Sequence, residues 1–203
     1  MADLEMLRRM MQAPAGPETA VDWGRLTGSW GKEFPADYRQ FMEVFGPGTI
    51  QDFLVIVQPE PKEAASVDAT GGMVHETANA EMAWTEFRKE PALAEVEPLL
   101  IAWGVSSGAD ILCWDASGND PDDWPVLVWN RDFTAWRRYD CGMVEFLRRV
   151  LEAEFGGCPL SGTNIWGVAT VRYLTLGEEM RLLRAGLDPW TGEPDPYAGM
   201  FPR

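Results

Sequence analysis

Between Leu99 and Tyr139 the chain carries four apolar, strand-like runs so close together that only short turns fit between them. This spacing restricts the fold more than any other feature. The runs are Leu99 to Val105, Ile111 to Trp114, Val126 to Trp129 and Thr134 to Tyr139. Their separators are Ser106 to Ala109, Asp115 to Asp123 and Asn130 to Asp132, all of turn-forming composition. Parallel neighbours would need long crossovers, so the pattern predicts an antiparallel meander.

Helical patterns flank this region. Pro35 suits a first turn, and Tyr38, Phe41, Met42 and Phe45 then follow the spacing of a buried stripe. Gly46 caps that helix and Pro47-Gly48 turn the chain into strand-like Thr49-Ile50 and Phe53 to Val57. Shorter helical patterns cover residues 2–12 and 22–31, and residues 73–89 have helix-favouring composition. Asp140 is placed to cap a helix over about 142–155, with Met143, Phe146, Leu147, Val150 and Leu151 on its apolar face. Beyond it, Ala169 to Leu174 reads as a strand leading into a short helix with a Thr175–Glu178 capping box. The fold class expected is α+β: an antiparallel sheet of about four to six strands, with helices packed on one face. The organisation expected is an N-terminal helix and linker at 1–19, a domain at 20–157 and a C-terminal extension at 158–203. The last residues, rich in Pro, Gly and aromatics, are expected to be extended.

Charge restricts the partners. The 203 residues include 17 Lys+Arg and 32 Asp+Glu, a formal net charge of -15. Such a field repels phosphate backbones and anionic bilayers, so neither nucleic acid nor membrane is an expected partner. It favours cationic proteins, and it also serves plain solubility. From Glu90 to Asn130 there are eight acidic residues and no Lys or Arg. A single-sign block of this kind speeds encounter with a basic partner. Cys113, Cys141 and Cys158 have neither disulfide-framework nor zinc spacing. The first residues show no secretory signal and no stretch reads as a membrane span, so a cytoplasmic location is expected.

The motifs that could carry chemistry fail on context. Gly104-Val105-Ser106-Ser107-Gly108 matches the G-x-S-x-G nucleophile elbow, but a strand follows it instead of a helix. The one histidine, His75, lies upstream, so a triad has no base. His75-Glu76 starts a zincin pattern that Asn79 breaks. The Asp115 to Asp123 stretch resembles a calcium loop, yet Asp120 stands where glycine is needed. No phosphate-binding loop occurs. The expectation is therefore no catalytic residue, no metal and no cofactor. Trp103, Trp114 and Trp129 fall in strands, where core packing is the default, while Trp124, Trp136 and Trp190 fall nearer turns or the tail. Exposed aromatics of the latter kind serve as binding anchors. The partner-binding residues expected are Asp110, Asp115, Asp120, Asp122, Asp123 and Trp124.

Residues 20–155 resemble the SUKH superfamily, also called the SMI1/KNR4 family. The stretches that carry the resemblance are Trp23, then Phe34-Pro35-Ala36-Asp37-Tyr38-Arg39-Gln40-Phe41, then Phe45-Gly46-Pro47-Gly48-Thr49-Ile50. Pro98 to Gly104, Gly108-Ala109-Asp110, Trp124-Pro125-Val126 with Trp129, Trp136 with Tyr139, and Met143 to Leu147 continue it in order. The resemblance implies an SMI1/KNR4-like fold of helices against an antiparallel sheet, without catalytic residues. It also implies a bacterial immunity protein that binds and neutralises a polymorphic toxin, such as a nuclease or deaminase. Eukaryotic members are regulatory scaffolds, so the alternative implied is a regulatory interaction module without a toxin partner. The toxin would be basic, matching the acidic charge.

Overall fold

Three consecutive strand runs, in β5 to β7 below, contain almost no polar residue, and such runs bury both of their faces. The computed structural model describes residues 2–12, 20–64 and 71–196. The linker expected at 13–19 and the tail at 197–203 lie outside them. In chain order the elements are α1 (Ala2–Met10), β1 (Met11–Gln12), α2 (Trp23–Trp30), α3 (Ala36–Val44), β2 (Gly48–Ile50) and β3 (Leu54–Ile56). There follow α4 (Met73–Glu86), β4 (Arg88–Lys89), β5 (Leu100–Ser106), β6 (Ile111–Asp115), β7 (Val126–Asn130) and β8 (Ala135–Tyr139). The chain continues with α5 (Met143–Leu151), β9 (Val171–Thr175) and α6 (Leu176–Arg184).

The meander forms as its spacing predicts: β5, β6, β7 and β8 pair antiparallel in sequence order. It belongs to a nine-stranded sheet in the order β1-β9-β2-β3-β5-β6-β7-β8-β4. The sheet is therefore wider than the four to six strands expected. It is also mixed, because β1 runs parallel to β9 and β4 runs parallel to β8. Those two edge strands are two residues long, too short to leave a periodic pattern in the sequence.

The helices cover both faces, not one. On one face, Ile101, Trp103, Leu112, Trp114, Val126 and Val128 join a core with Tyr38, Phe41, Phe146 and Leu147 from α3 and α5. On the other, Leu100, Ala102, Cys113, Leu127 and Trp136 pack with Ala80 and Ala83 of α4. The buried residues of α4 mix Met73, Ala80 and Ala83 with the polar Glu76 and Thr77, so its core-facing side has little hydrophobic contrast in the sequence. At the irregularity between Ala102 and Gly104, the Ala102 N–H donates to Thr77 Oγ1 of α4 at 2.9 Å. A polar helix residue thus supplies an acceptor to the strand beneath it.

Two helix starts, those of α3 and α5, are supported from across the sequence, whereas α2 and α6 are capped locally by Asp22 and Thr175. Asp140 does not cap α5; it is exposed and pairs with Arg138. Asp37 of α3 fills that place, its Oδ2 accepting the Val144 N–H at 3.0 Å. A Cβ on Gly142 would lie 2.6 Å from the same oxygen, so glycine clears the way. The start of α3 is bonded by Asp122, whose Oδ1 accepts the Ala36 N–H at 2.6 Å. At α6 the expected Thr175 cap forms, with Thr175 Oγ1 accepting the Glu178 N–H, while the Glu178 carboxylate turns to Arg181.

The C-terminal stretch is part of the sheet, not an appendage. Strand β9 lies between β1 and β2, pairing Gly48 with Thr175 and Met11 with Val171. The Tyr173 hydroxyl donates to Gly46 O at 2.6 Å inside the core. The packing between β2 and β9 is close: a Cβ on Gly48 would lie 2.1 Å from Leu174 O. A chain truncated after residue 157 should therefore lose cooperative thermal unfolding, since β2 becomes an unpaired edge. Gly48→Ala should cost about 3 kcal/mol or more by forcing β2 from β9. A sharp melt of the truncated chain, or a near-neutral Gly48→Ala, would contradict this reading.

Candidate functional site

The six residues expected to bind a partner separate into a buried group and an exposed turn. Asp110 is 0% exposed and follows the β5–β6 hairpin, whose Ala109 takes a left-handed φ of 64°. Its carboxylate accepts from Ser106 Oγ at 2.6 Å, from the Arg131 N–H at 2.9 Å and from the Ser161 N–H at 2.8 Å. The Ser161 hydroxyl donates to it as well. Asp115 is buried at the end of β6, where Oδ1 accepts from the N–H and hydroxyl of Ser117. Trp124 is 2% exposed, with its ring near that of Trp114 and its Nε1 donating to Gly118 O at 3.1 Å. All three are buried and hydrogen-bonded within the fold, unlike the exposed positions that partner binding requires. Trp136 is buried too, so it is no anchor either.

Asp120, Asp122 and Asp123 are exposed. They sit on a 3-10 turn, Pro121–Asp123, that buried Trp124 tethers from below. Asp120 caps the turn by accepting the Asp122 N–H at 3.0 Å. Asp122 fixes it to α3 through Ala36, and Lys32 Nζ reaches Gly118 O at 3.3 Å. The turn is thus a preorganised display of carboxylates, held at both ends. Its field reaches inward: burial raises the carboxyl of Asp37 above the usual carboxylate range, bonds from Val144 and Tyr38 oppose that, and the Asp122 charge raises it further.

The base-free block from Glu90 to Asn130 ends in β7, beside a strand that carries two arginines. Strand β8 lies beside β7, setting Arg137 across from Val128 and Arg138 across from Leu127. Arg138 N–H donates to Glu90 Oε1 at 2.9 Å. That bond uses the Arg138 backbone, while its guanidinium pairs with Asp140.

The catalytic-looking motif has an internal explanation. Ser106 is buried, its hydroxyl donates to Asp110, and its backbone closes the hairpin through the Asp110 O and the Ala109 N–H. Ser161 and Asn130 complete this cluster, with Asn130 Nδ2 donating to Pro159 O at 3.0 Å. Neither residue stood out in the sequence, because Ser161 lies about fifty positions from its carboxylate partner. Among the described residues no group of three or more His, Cys, Asp or Glu is placed to hold a metal ion. Among them, too, no helix is long and apolar enough to cross a membrane.

Asp110→Ala should destabilise the protein by about 3 kcal/mol or more, since it takes the acceptor from the buried Ser161 N–H, the part-buried Arg131 N–H and the Ser106 and Ser161 hydroxyls. Ser106→Ala should cost about 2 kcal/mol, since it takes a donor from the Asp110 carboxylate and the acceptor from the buried Asp110 N–H, and a fluorophosphonate probe should leave wild-type Ser106 unlabelled. Denaturant melts and mass spectrometry check both. Asp122→Asn should lower the Asp37 pKa, because it removes the like charge that helps to raise it; a carboxyl-detected NMR titration reads the direction. No protein-family profile, curated protein or solved structure matches the chain.

Proposed function

We propose that this chain is a non-enzymatic binding protein of the immunity type, which binds a basic toxin domain and neutralises it. The observation that carries the reading is the exposed Asp120–Asp122–Asp123 turn, rigidly mounted on Trp124 and α3 in a chain of net charge -15. Preorganised carboxylates draw a cationic partner in quickly and lose little freedom on binding. The commitment of Ser106 and Asp110 to each other supports a binding role over a hydrolytic one. The resemblance of residues 20–155 to the SUKH superfamily supplies the toxin as the class of partner, with nuclease and deaminase domains as the types implied.

The test is co-expression with the toxin-like product of a neighbouring gene, scored by cell survival and by co-purification. Protection and a stable complex are expected. The combined substitutions Asp120→Asn, Asp122→Asn and Asp123→Asn should slow association by about tenfold and flatten its salt dependence while the fold survives. Absence of protection, with no complex, overturns the toxin reading and leaves a regulatory interaction module. An unchanged association rate in the triple variant moves the binding face elsewhere.

A further inference from the structure

We propose that the β4 edge of the sheet is a docking site for an extended acidic peptide segment, which adds there as a further strand. Strand β4 ends the nine-stranded sheet, outside β8. It pairs Arg88 with Ala135 and Lys89 with Trp136. The next residue, Glu90, turns its N–H inward to Trp136 O at 3.1 Å. Bonding directions alternate along a strand, so the Lys89 N–H and C=O point away from the sheet. Such an edge is a template for one more backbone.

Cations without acid partners flank that edge. Arg88, Lys89, Arg131 and Arg137 form no ion pair among the described residues, in a chain with 32 acids to 17 bases. Arg88 and Arg137 converge on Phe133, which is 48% exposed. Arg88 Nη2 donates to Phe133 O at 3.1 Å. The Arg137 guanidinium lies 4.7 Å from the centre of the Phe133 ring and reaches the Tyr139 hydroxyl. A guanidinium carries five donors, so both arginines keep donors for a carboxylate. On the α4 face, Lys89 lies over Trp84 and Arg131 over Trp129. Of the acids at this edge, Asp140 pairs with Arg138 and Glu90 accepts the Arg138 N–H, which leaves Glu86 and Asp132 against the four cations.

The edge selects among partners. A nucleic acid has no peptide backbone to add to a strand, and its phosphates meet the field of a chain of net charge -15. A second copy paired edge to edge would set these cations against their own counterparts. An acidic peptide satisfies the strand edge and the cations together, and exposed Phe133 takes an apolar side chain. Charges farther than about 8 Å are screened at physiological salt, so the cations beside the edge outweigh the distant acids. Strand β4 is two residues long, so the contact is small and the binding weak. The proposal is independent of the toxin reading, which rests on the Asp120–Asp123 turn.

Fluorescence anisotropy of the full chain with a labelled peptide alternating glutamate and valine tests it. Saturable binding is expected, weakened about tenfold or more between about 0.05 M and about 0.5 M salt. Arg88→Gln combined with Arg137→Gln should weaken it by about the same factor, with unchanged circular dichroism and melting because both side chains are exposed. N-methylating alternate peptide amides should abolish binding in one register and spare it in the other. The variant carrying Asp120→Asn, Asp122→Asn and Asp123→Asn should still bind the peptide. A peptide that does not bind, or that binds the double variant as tightly as wild type, overturns the proposal. Equal binding of a lysine–valine peptide, or tighter binding of a single-stranded oligonucleotide, overturns it as well. Binding that survives N-methylation in both registers overturns the added strand.

Discussion

Strands β5, β6 and β7 are buried on both faces, and the rest of the molecule is arranged to supply their two covers. Trp103 and Trp114 fill one side against α3 and α5, and Ala102, Cys113 and Leu127 fill the other against α4. Burial of this kind is the main favourable term in folding, roughly 25 cal/mol per Å² of apolar surface removed from water. It also sets a condition: a two-sided sheet has no water to satisfy stray polar groups, so each needs a partner within the protein. Thr77 meets that condition for Ala102.

The same condition explains why carboxylates act as long-range connectors here. Asp110 ties the β5–β6 hairpin to Arg131 and to Ser161 of the C-terminal stretch. Asp37 joins α3 to α5, and Asp122 joins the turn before β7 to α3. Each accepts backbone N–H groups that would otherwise face a packed interior or an unbonded helix start. A chain with a large excess of acid thus uses part of it as internal fastening. What remains exposed on the Asp120–Asp123 turn is positioned by that fastening.

Charge in space therefore differs from charge along the chain. The acid-only run beginning at Glu90 ends in β7, next to Arg137 and Arg138 of β8, and the turn at Asp120 keeps its exposure. At α6 the balance is different again, with acid and base divided between the two halves of one short helix.

The sequence alone determined the elements whose causes are local. The α3 stripe from Tyr38 to Phe45, the meander from Leu100 to Tyr139, the apolar face of α5 and the Thr175 cap all follow from spacing and turn chemistry within about ten residues. The α+β class follows from their order. Tertiary structure alone decided the insertion of β9 between β1 and β2, the cover of α4 on the second face, and the parallel edge strands. It also decided which candidates face outward: Asp110, Asp115 and Trp124 are buried, while Asp120, Asp122 and Asp123 are exposed. The physical reason is the same in each case. Hydrophobic period and turn preference act between near neighbours, whereas burial and hydrogen-bond partnership depend on segments distant in sequence, such as Ser161 with Asp110.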